Sequence, residues 1–130
     1  MKAEELRVGN LVSNAFNPPQ EILVVKQITG YGEMKGVHVS KINEDFVWSL
    51  QELGIIGIPL TKFWLLKFGF IPKEYGYVNQ IYVRKPDNRV NDFYFEFDGF
   101  DIGKEVELKY VHQLQNLYHA LTGEELTIKQ

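Results

Sequence analysis

The sequence predicts an α+β domain, and three observations carry that prediction. The stretch 110–126 places apolar residues at helical spacing. Two strand-rich regions alternate apolar and polar residues, as half-buried strands do. A short apolar helix separates them. At 130 residues we expect a single domain, with a β-rich half over 5–58 and a helix–meander–helix half over 59–126.

The predicted C-terminal helix has an apolar face that must be buried, because a short helix is marginal alone in water. Gly123 follows the last apolar position, where a left-handed C-cap favours glycine. Leu126 is expected to fold back onto the end of the helix, while His112 and Gln115 are expected off the apolar face. That face consists of Val111, Leu114, Leu117, Tyr118 and Leu121.

The N-terminal half is predicted to be a bent β-sheet, for which an SH3-like barrel is the suggested topology. Apolar and β-branched residues at 21–29, alternation at 35–42 and the short run 46–50 indicate three strands. Two prolines predict a loop over 14–20. The opening stretch 4–13 indicates a short helical lead or a strand.

The second half is predicted to open with a short apolar helix, capped by Thr61 and stopped by Gly69. A three-stranded antiparallel meander follows, with strands at 77–84, 93–97 and 104–110. We expect the C-terminal helix to pack on the apolar face of this sheet. The residues expected on that face are Phe93, Phe95, Phe97, Val106, Leu108 and Tyr110.

The composition and net charge argue against several classes of function and of binding site. Apolar residues make up 45% and charged residues 24%, an ordinary globular balance. The net charge of −3 gives no general attraction to nucleic acid or to a membrane. The absence of cysteine excludes disulfides and thiolate metal sites. With no signal-peptide pattern and no membrane-spanning run, we expect a cytoplasmic protein without cofactor or metal.

Aromatic residues form 14% of the chain, and several fall in or beside predicted loops. Aromatics on loops over a rigid scaffold commonly grip small ligands or protein partners. The alternative is that they only close the core, and aromatic richness alone does not separate the two. The predicted ligand- or partner-binding residues are Trp48, Trp64, Tyr75 and Tyr77, with Phe16 and Tyr31 in the same unassigned group.

A second candidate site is a basic and aromatic patch at the tip of the meander. Cations interleaved with aromatics suit single-stranded nucleic acid, through phosphate contacts and base stacking. The neighbouring Asp87 and Asp92 and the negative total charge argue against it. The patch comprises Tyr82, Arg84, Lys85 and Arg89, with Tyr94 close by.

A third candidate is an enzyme that uses Glu96 and Asp98, which share a strand face and suit glycoside hydrolysis or a hard metal ion. A solvated face paired with Arg84 and Lys104 is the favoured interpretation. The sequence contains no nucleophile motif, phosphate-binding loop or dinucleotide fingerprint, so no catalytic residue is assigned. The acidic cluster comprises Asp92, Glu96, Asp98 and Asp101.

The histidines are not expected to bind a metal. Seven residues separate His112 from His119, which is about 10 Å along a helix and too far for one ion. We expect both at the surface or its boundary. His38 lies on a predicted strand with no identifiable partner.

Three segments occur in a recognisable order: LRVGNLV at 6–12, IPLTKFWLLKFGF at 58–70 and VHQLQNLYHALTGEEL at 111–126. In this order the chain resembles a group of short uncharacterised proteins from Bacteroidetes and from their phages and prophages. The resemblance implies a bacterial or phage-associated cytoplasmic protein. It brings no activity, cofactor or catalytic residue with it.

The leading functional hypothesis is a non-enzymatic binding protein that recognises a protein partner or a small ligand such as a nucleotide. The alternatives are a nucleic-acid-binding accessory protein and an enzyme using Glu96 and Asp98. An exposed edge of the meander suits a homodimer.

Overall fold

Two five-stranded antiparallel sheets and two helices make up the fold, which confirms the predicted α+β class. A computed structural model describes residues 1, 3–14, 21–29, 36–51, 54–85, 92–96 and 105–129. The chain divides into two compact units, Met1–Ile58 and Pro59–Gln130. The predicted single domain with its two halves stays a prediction. No helix in the described ranges is both long and apolar enough to cross a membrane.

The first unit is a β-sheet with strand order β4-β3-β2-β1-β5, which agrees with the SH3-like interpretation. Its last strand, β5, pairs with β1. Two residues are too few to show the alternation that predicts a strand. A 3-10 helix at Ala3–Glu5 precedes β1 (Leu11–Asn14), β2 (Ile22–Thr29), β3 (Gly36–Lys41), β4 (Trp48–Gln51) and β5 (Ile55–Ile56).

The core of the first unit forms on one face of this sheet. Val37 and Val39 are fully buried, as the alternation in β3 predicts. Aliphatic residues of β1, β2 and β5 join them, so the core draws on four strands. Its most buried members are Val12, Leu23, Val25, Val37, Val39 and Ile55.

The second unit is a meander of five strands, in the order β10-β9-β8-β7-β6, between two helices. The sequence predicts three strands for this meander, two fewer than the structure has. The elements are α1 (Lys62–Lys67), β6 (Ile71–Lys73), β7 (Gly76–Asn79), β8 (Ile81–Arg84), β9 (Phe93–Glu96), β10 (Glu105–Leu108) and α2 (Val111–Thr122).

The two additional strands arise in different ways. The predicted strand 77–84 is a hairpin, because the chain reverses at Gln80, whose φ is 59°. The apolar–polar alternation continues through this reversal, so the sequence pattern shows no break. Strand β6 follows Gly69, whose φ of 83° ends the first helical segment as predicted. All three residues of β6 are exposed, so it lacks the alternation of a half-buried strand.

Helix α2 buries a face centred differently from the predicted one. His112 and Gln115 are each only 2% exposed, whereas Leu121 is 47% exposed. The prediction that His112 lies at the surface or its boundary is therefore wrong. The prediction that Leu121 lies on the buried face is also wrong. The helix packs against β10 with its first turns, and its last turn extends to the β7–β8 hairpin. The buried face is Val111, His112, Leu114, Gln115 and Tyr118.

The C-terminal end of α2 is held as the sequence predicts, and its start is held by a side chain of the first turn. Gly123 has a φ of 75°, and its N–H donates to the carbonyl of His119 at 2.9 Å. Leu126 is buried just beyond it. At the start, the Gln113 side chain accepts hydrogen bonds from the backbone N–H groups of Lys109 and Tyr110, at 2.8 and 3.1 Å.

Only one end of the predicted phenylalanine face is fully covered. Phe93 and its register partner Leu108 are buried, but Val106 is 40% and Tyr110 37% exposed. Both were expected to point inward, and these two expectations are wrong. Phe97 lies outside the described residues. The apolar cover of the sheet therefore thins along β10, away from Leu108.

Two matched variants, Leu114→Ala and Leu121→Ala, test which face of helix α2 is buried. Removing the fully buried Leu114 side chain should lower the free energy of unfolding by about 2–5 kcal/mol. The same truncation at the half-exposed Leu121 should change it by about 0.5 kcal/mol or less. Denaturant unfolding of both variants measures the difference. Equal losses would contradict the observed face.

Candidate functional site

A cavity of 550 Å³ lies beside the β7–β8 hairpin. Strand β8 neighbours β9 in the sheet, and Arg84 pairs with Tyr94 across the two strands. The cavity walls come from the β7–β8 hairpin, from β9 and from the last turn of α2. They are formed by Val78, Gln80, Ile81, Tyr82, Arg84, Phe95, Leu121 and Thr122.

Gln80 sits at the tip of the hairpin in a backbone conformation that is uncommon for glutamine. Its φ of 59° is in the left-handed region, which glycine and asparagine occupy more readily. Its side-chain amide N–H₂ donates to the Tyr118 hydroxyl at 2.9 Å and to a Glu124 carboxylate oxygen at 3.1 Å. These bonds join the hairpin tip to the end of α2 and fix the direction of the amide.

Tyr118 carries the other half of this connection. The residue is 4% exposed, and burial is the main reason that the pKa of its phenol rises above the usual 10.0. The nearby charge of Glu124 raises this pKa further. The hydroxyl oxygen of this phenol accepts the hydrogen bond from Gln80.

Tyr82 lies across strand β7 at a position that only glycine allows. A Cβ atom built on Gly76 would come within 2.9 Å of both Cζ and the hydroxyl oxygen of Tyr82, and would collide with the carbonyl of Val83. The ring thus rests against the bare backbone of Gly76. It remains 42% exposed, so one side of the residue is open to a ligand.

Arg84 supplies the positive charge in the cavity wall. Its guanidinium lies over the ring of Tyr94, 5.9 Å from the centroid, and the residue is half-buried. A guanidinium presents a planar fork of N–H donors that matches phosphate and carboxylate oxygens. This end of the cavity therefore suits an anionic group.

Three polar side chains of the hairpin line the cavity, those of Gln80, Tyr82 and Arg84. Tyr82 and Arg84 have two-residue spacing within β8, which places them on one face of the strand. Gln80 precedes β8 at the reversal, and its side chain bonds to the end of α2. The cavity thus offers an amide, an aromatic ring and a cation. Apolar side chains from Val78 and Phe95 line the remaining wall.

The four aromatic residues predicted to bind a ligand or partner have different environments. Trp48 belongs to the first unit, where its ring stacks on Phe46 at 6.1 Å between centroids. The other three belong to the second unit. Trp64 and Tyr77 are each 7% exposed, whereas Tyr75 is 63% exposed. Phe16 and Tyr31 lie outside the described residues.

Two members of the predicted basic and aromatic patch, Tyr82 and Arg84, meet at the cavity. Lys85 lies instead over the ring of the buried Phe93, at 5.7 Å. Arg89 lies outside the described residues. The sequence did not single out Gln80, since its role depends on a hairpin and on the end of α2.

The acidic and histidine candidates come out as follows. The structure does not describe Asp98, Asp101 or the side chain of Glu96. Among the residues that it does describe, no three metal-binding side chains form a cluster. His112 is buried, with its ring stacked on Tyr110 at 5.7 Å. His38 has a partner after all, the Thr29 hydroxyl at 2.9 Å.

Comparison with known proteins finds no matching family model, curated protein or solved structure. The resemblance to short proteins of Bacteroidetes and their phages therefore stays a prediction. The fold and the geometry of the cavity are what support a function.

The pKa of Tyr118 provides a test of the connection between hairpin and helix. Glu124→Gln should lower this pKa while leaving it above 10.0, because burial is the larger cause. A raised folded-state pKa stabilises the protein fully below the unfolded pKa, and this stabilisation is lost as the pH rises through the folded value. Tyrosinate absorbance titration, with Tyr118→Phe for subtraction, measures the pKa.

Glu125→Gln is the matched control, since it removes the adjacent charge. We expect it to leave the titration of Tyr118 unchanged. A Tyr118 that titrates together with the exposed tyrosines in the unsubstituted protein would contradict the geometry.

Proposed function

We propose that this protein is a non-enzymatic binding protein whose hairpin cavity takes a flat, anionic small molecule of the nucleotide type. The observation that carries the proposal is the presence of Tyr82 and Arg84 together in one cavity wall. An aromatic ring and a guanidinium on one strand face suit a stacked ring system joined to a phosphate.

The size of the cavity supports this class of ligand. Small-molecule sites commonly enclose about 300–1,000 Å³, and the hairpin cavity has 550 Å³. Its walls are partly apolar, with Val78 and Phe95 beside the polar groups. A ligand with a flat body and one charged end fits this balance better than a bare inorganic anion.

Local rather than global charge supports recognition of an anion. The chain carries a net charge of −3, which repels anions at long range. Arg84 is half-buried, so its charge is less screened by salt than that of an exposed lysine. Among the described residues that line the cavity, Arg84 provides the positive charge.

A second candidate function is the binding of single-stranded nucleic acid through the same residues. The exposed side of Tyr82 supports it, because an open ring beside a cation can accept successive stacked bases. A mononucleotide site and a strand-binding site differ in how affinity grows with the length of the ligand.

Calorimetric titration with AMP, GMP, CMP and UMP tests the proposal. Arg84→Gln should weaken binding of the preferred monophosphate by about tenfold or more, because a charge-assisted hydrogen bond contributes about 1.5–3 kcal/mol. Arg84→Lys should give an intermediate loss, since it keeps the charge and loses the fork. Lys62→Gln removes an exposed cation of the same unit and should have no effect.

Failure of all four monophosphates to bind would overturn the small-ligand proposal. A long oligothymidylate that binds much more tightly than a short one would instead favour the nucleic-acid candidate. Unfolding free energies of the variants show whether each still folds.

A further inference from the structure

We propose that the ligand of the hairpin cavity carries an amino group, and that this group donates a hydrogen bond to the side-chain carbonyl oxygen of Gln80. The inference rests on the function proposed above and narrows the ligand to amino-bearing nucleotides such as those of adenine or guanine.

The first step is the orientation of the Gln80 amide. Glu124 contacts this amide at 3.1 Å, and a carboxylate only accepts hydrogen bonds. The side turned towards it is therefore the N–H₂ group, which also donates to Tyr118. With both amide hydrogens used, Gln80 can only accept from a ligand, through its carbonyl oxygen.

The second step is the environment of this carbonyl oxygen. Within the described part of the chain it has no hydrogen-bond partner of its own, and Gln80 is exposed at the cavity. The Thr122 hydroxyl, also in the wall, is already engaged. It donates to the carbonyl of Tyr118 at 2.7 Å and accepts from the N–H of Glu124 at 3.1 Å.

The third step is the backbone of Gln80. A glutamine with a φ of 59° carries strain that glycine would not have, and such strain persists where the surroundings impose it. The flanking pair Asn79 and Ile81 fixes the reversal through its register. The side chain is thus held in one position before any ligand arrives, which lowers the entropy lost on binding.

The fourth step is the order of the polar groups. Tyr82 lies between Gln80 and Arg84 along the chain. A nucleotide has the same order of groups, since its base lies between any base amino group and the phosphate.

The simpler interpretation is that Gln80 serves only to tie the hairpin to α2. In that case its carbonyl oxygen faces water and forms no hydrogen bond with the ligand. The two interpretations differ in one measurable quantity, the change in affinity when a ligand loses its amino group.

The experiment compares nucleotides that differ by one amino group, in pairs. AMP is paired with purine riboside 5′-monophosphate, and GMP with IMP. For at least one pair, loss of the amino group should weaken binding to the unsubstituted protein by about tenfold, the effect of one hydrogen bond. Gln80→Gly removes the carbonyl and relieves the positive φ, so it should fold and bind both members of that pair equally.

Arg84→Gln is the control for the anionic end. It should weaken both members of a pair by the same factor, because the amino group is not its partner. Gln80→Asn keeps an amide and tolerates the left-handed backbone, but its shorter side chain should lose most of the preference.

The remaining outcomes show whether this inference fails alone or together with the proposed function. Binding that depends on Arg84 but shows no amino preference in either pair would overturn the inference alone. A preference that persists in Gln80→Gly would also overturn it. If no monophosphate binds, the inference and the proposed function fail together.

Discussion

In the second unit, a hydrogen bond from the Gln80 amide to the buried hydroxyl of Tyr118 connects the β-sheet to α2. It joins the tip of the β7–β8 hairpin to the last turns of α2, elements that are far apart in sequence. It also holds the backbone reversal, where Gln80 has a positive φ. Burial raises the pKa of the Tyr118 phenol, whose hydroxyl oxygen accepts this bond. The hairpin and the last turn of α2 that the bond connects both contribute to the cavity wall.

The cavity is formed by three parts of the second unit, the β7–β8 hairpin, β9 and the last turn of α2. Arg84 and Tyr94 pair across β8 and β9, where the guanidinium also lies over the ring. The cation in the cavity wall is therefore in contact with an aromatic residue of the neighbouring strand.

The sequence predicts those parts of the fold whose signals are local. Helix α2 and its left-handed cap at Gly123 follow from apolar spacing and from glycine. The face of α2 was misplaced because a buried histidine and glutamine look polar from sequence alone. The hairpin within 77–84 was not predictable, since glutamine gives no turn signal at the reversal. Tyr82 and Arg84 were predicted as part of a basic and aromatic patch for nucleic acid, because cations and aromatics are interleaved there. Gln80 carried no such signal, since its contacts with Tyr118 and Glu124 arise only in the tertiary structure.

The central claim is that the hairpin cavity binds the ligand, and mapping of amide chemical shifts tests it most directly. The ¹H–¹⁵N spectrum of the labelled protein would be recorded during titration with GMP and with AMP. The largest shifts should fall on Gln80, Tyr82 and Arg84, with smaller ones at Leu121 and Thr122. Shifts concentrated around Trp48 or Tyr75 instead, or a spectrum that stays unchanged at saturating nucleotide, would contradict the assignment of this cavity.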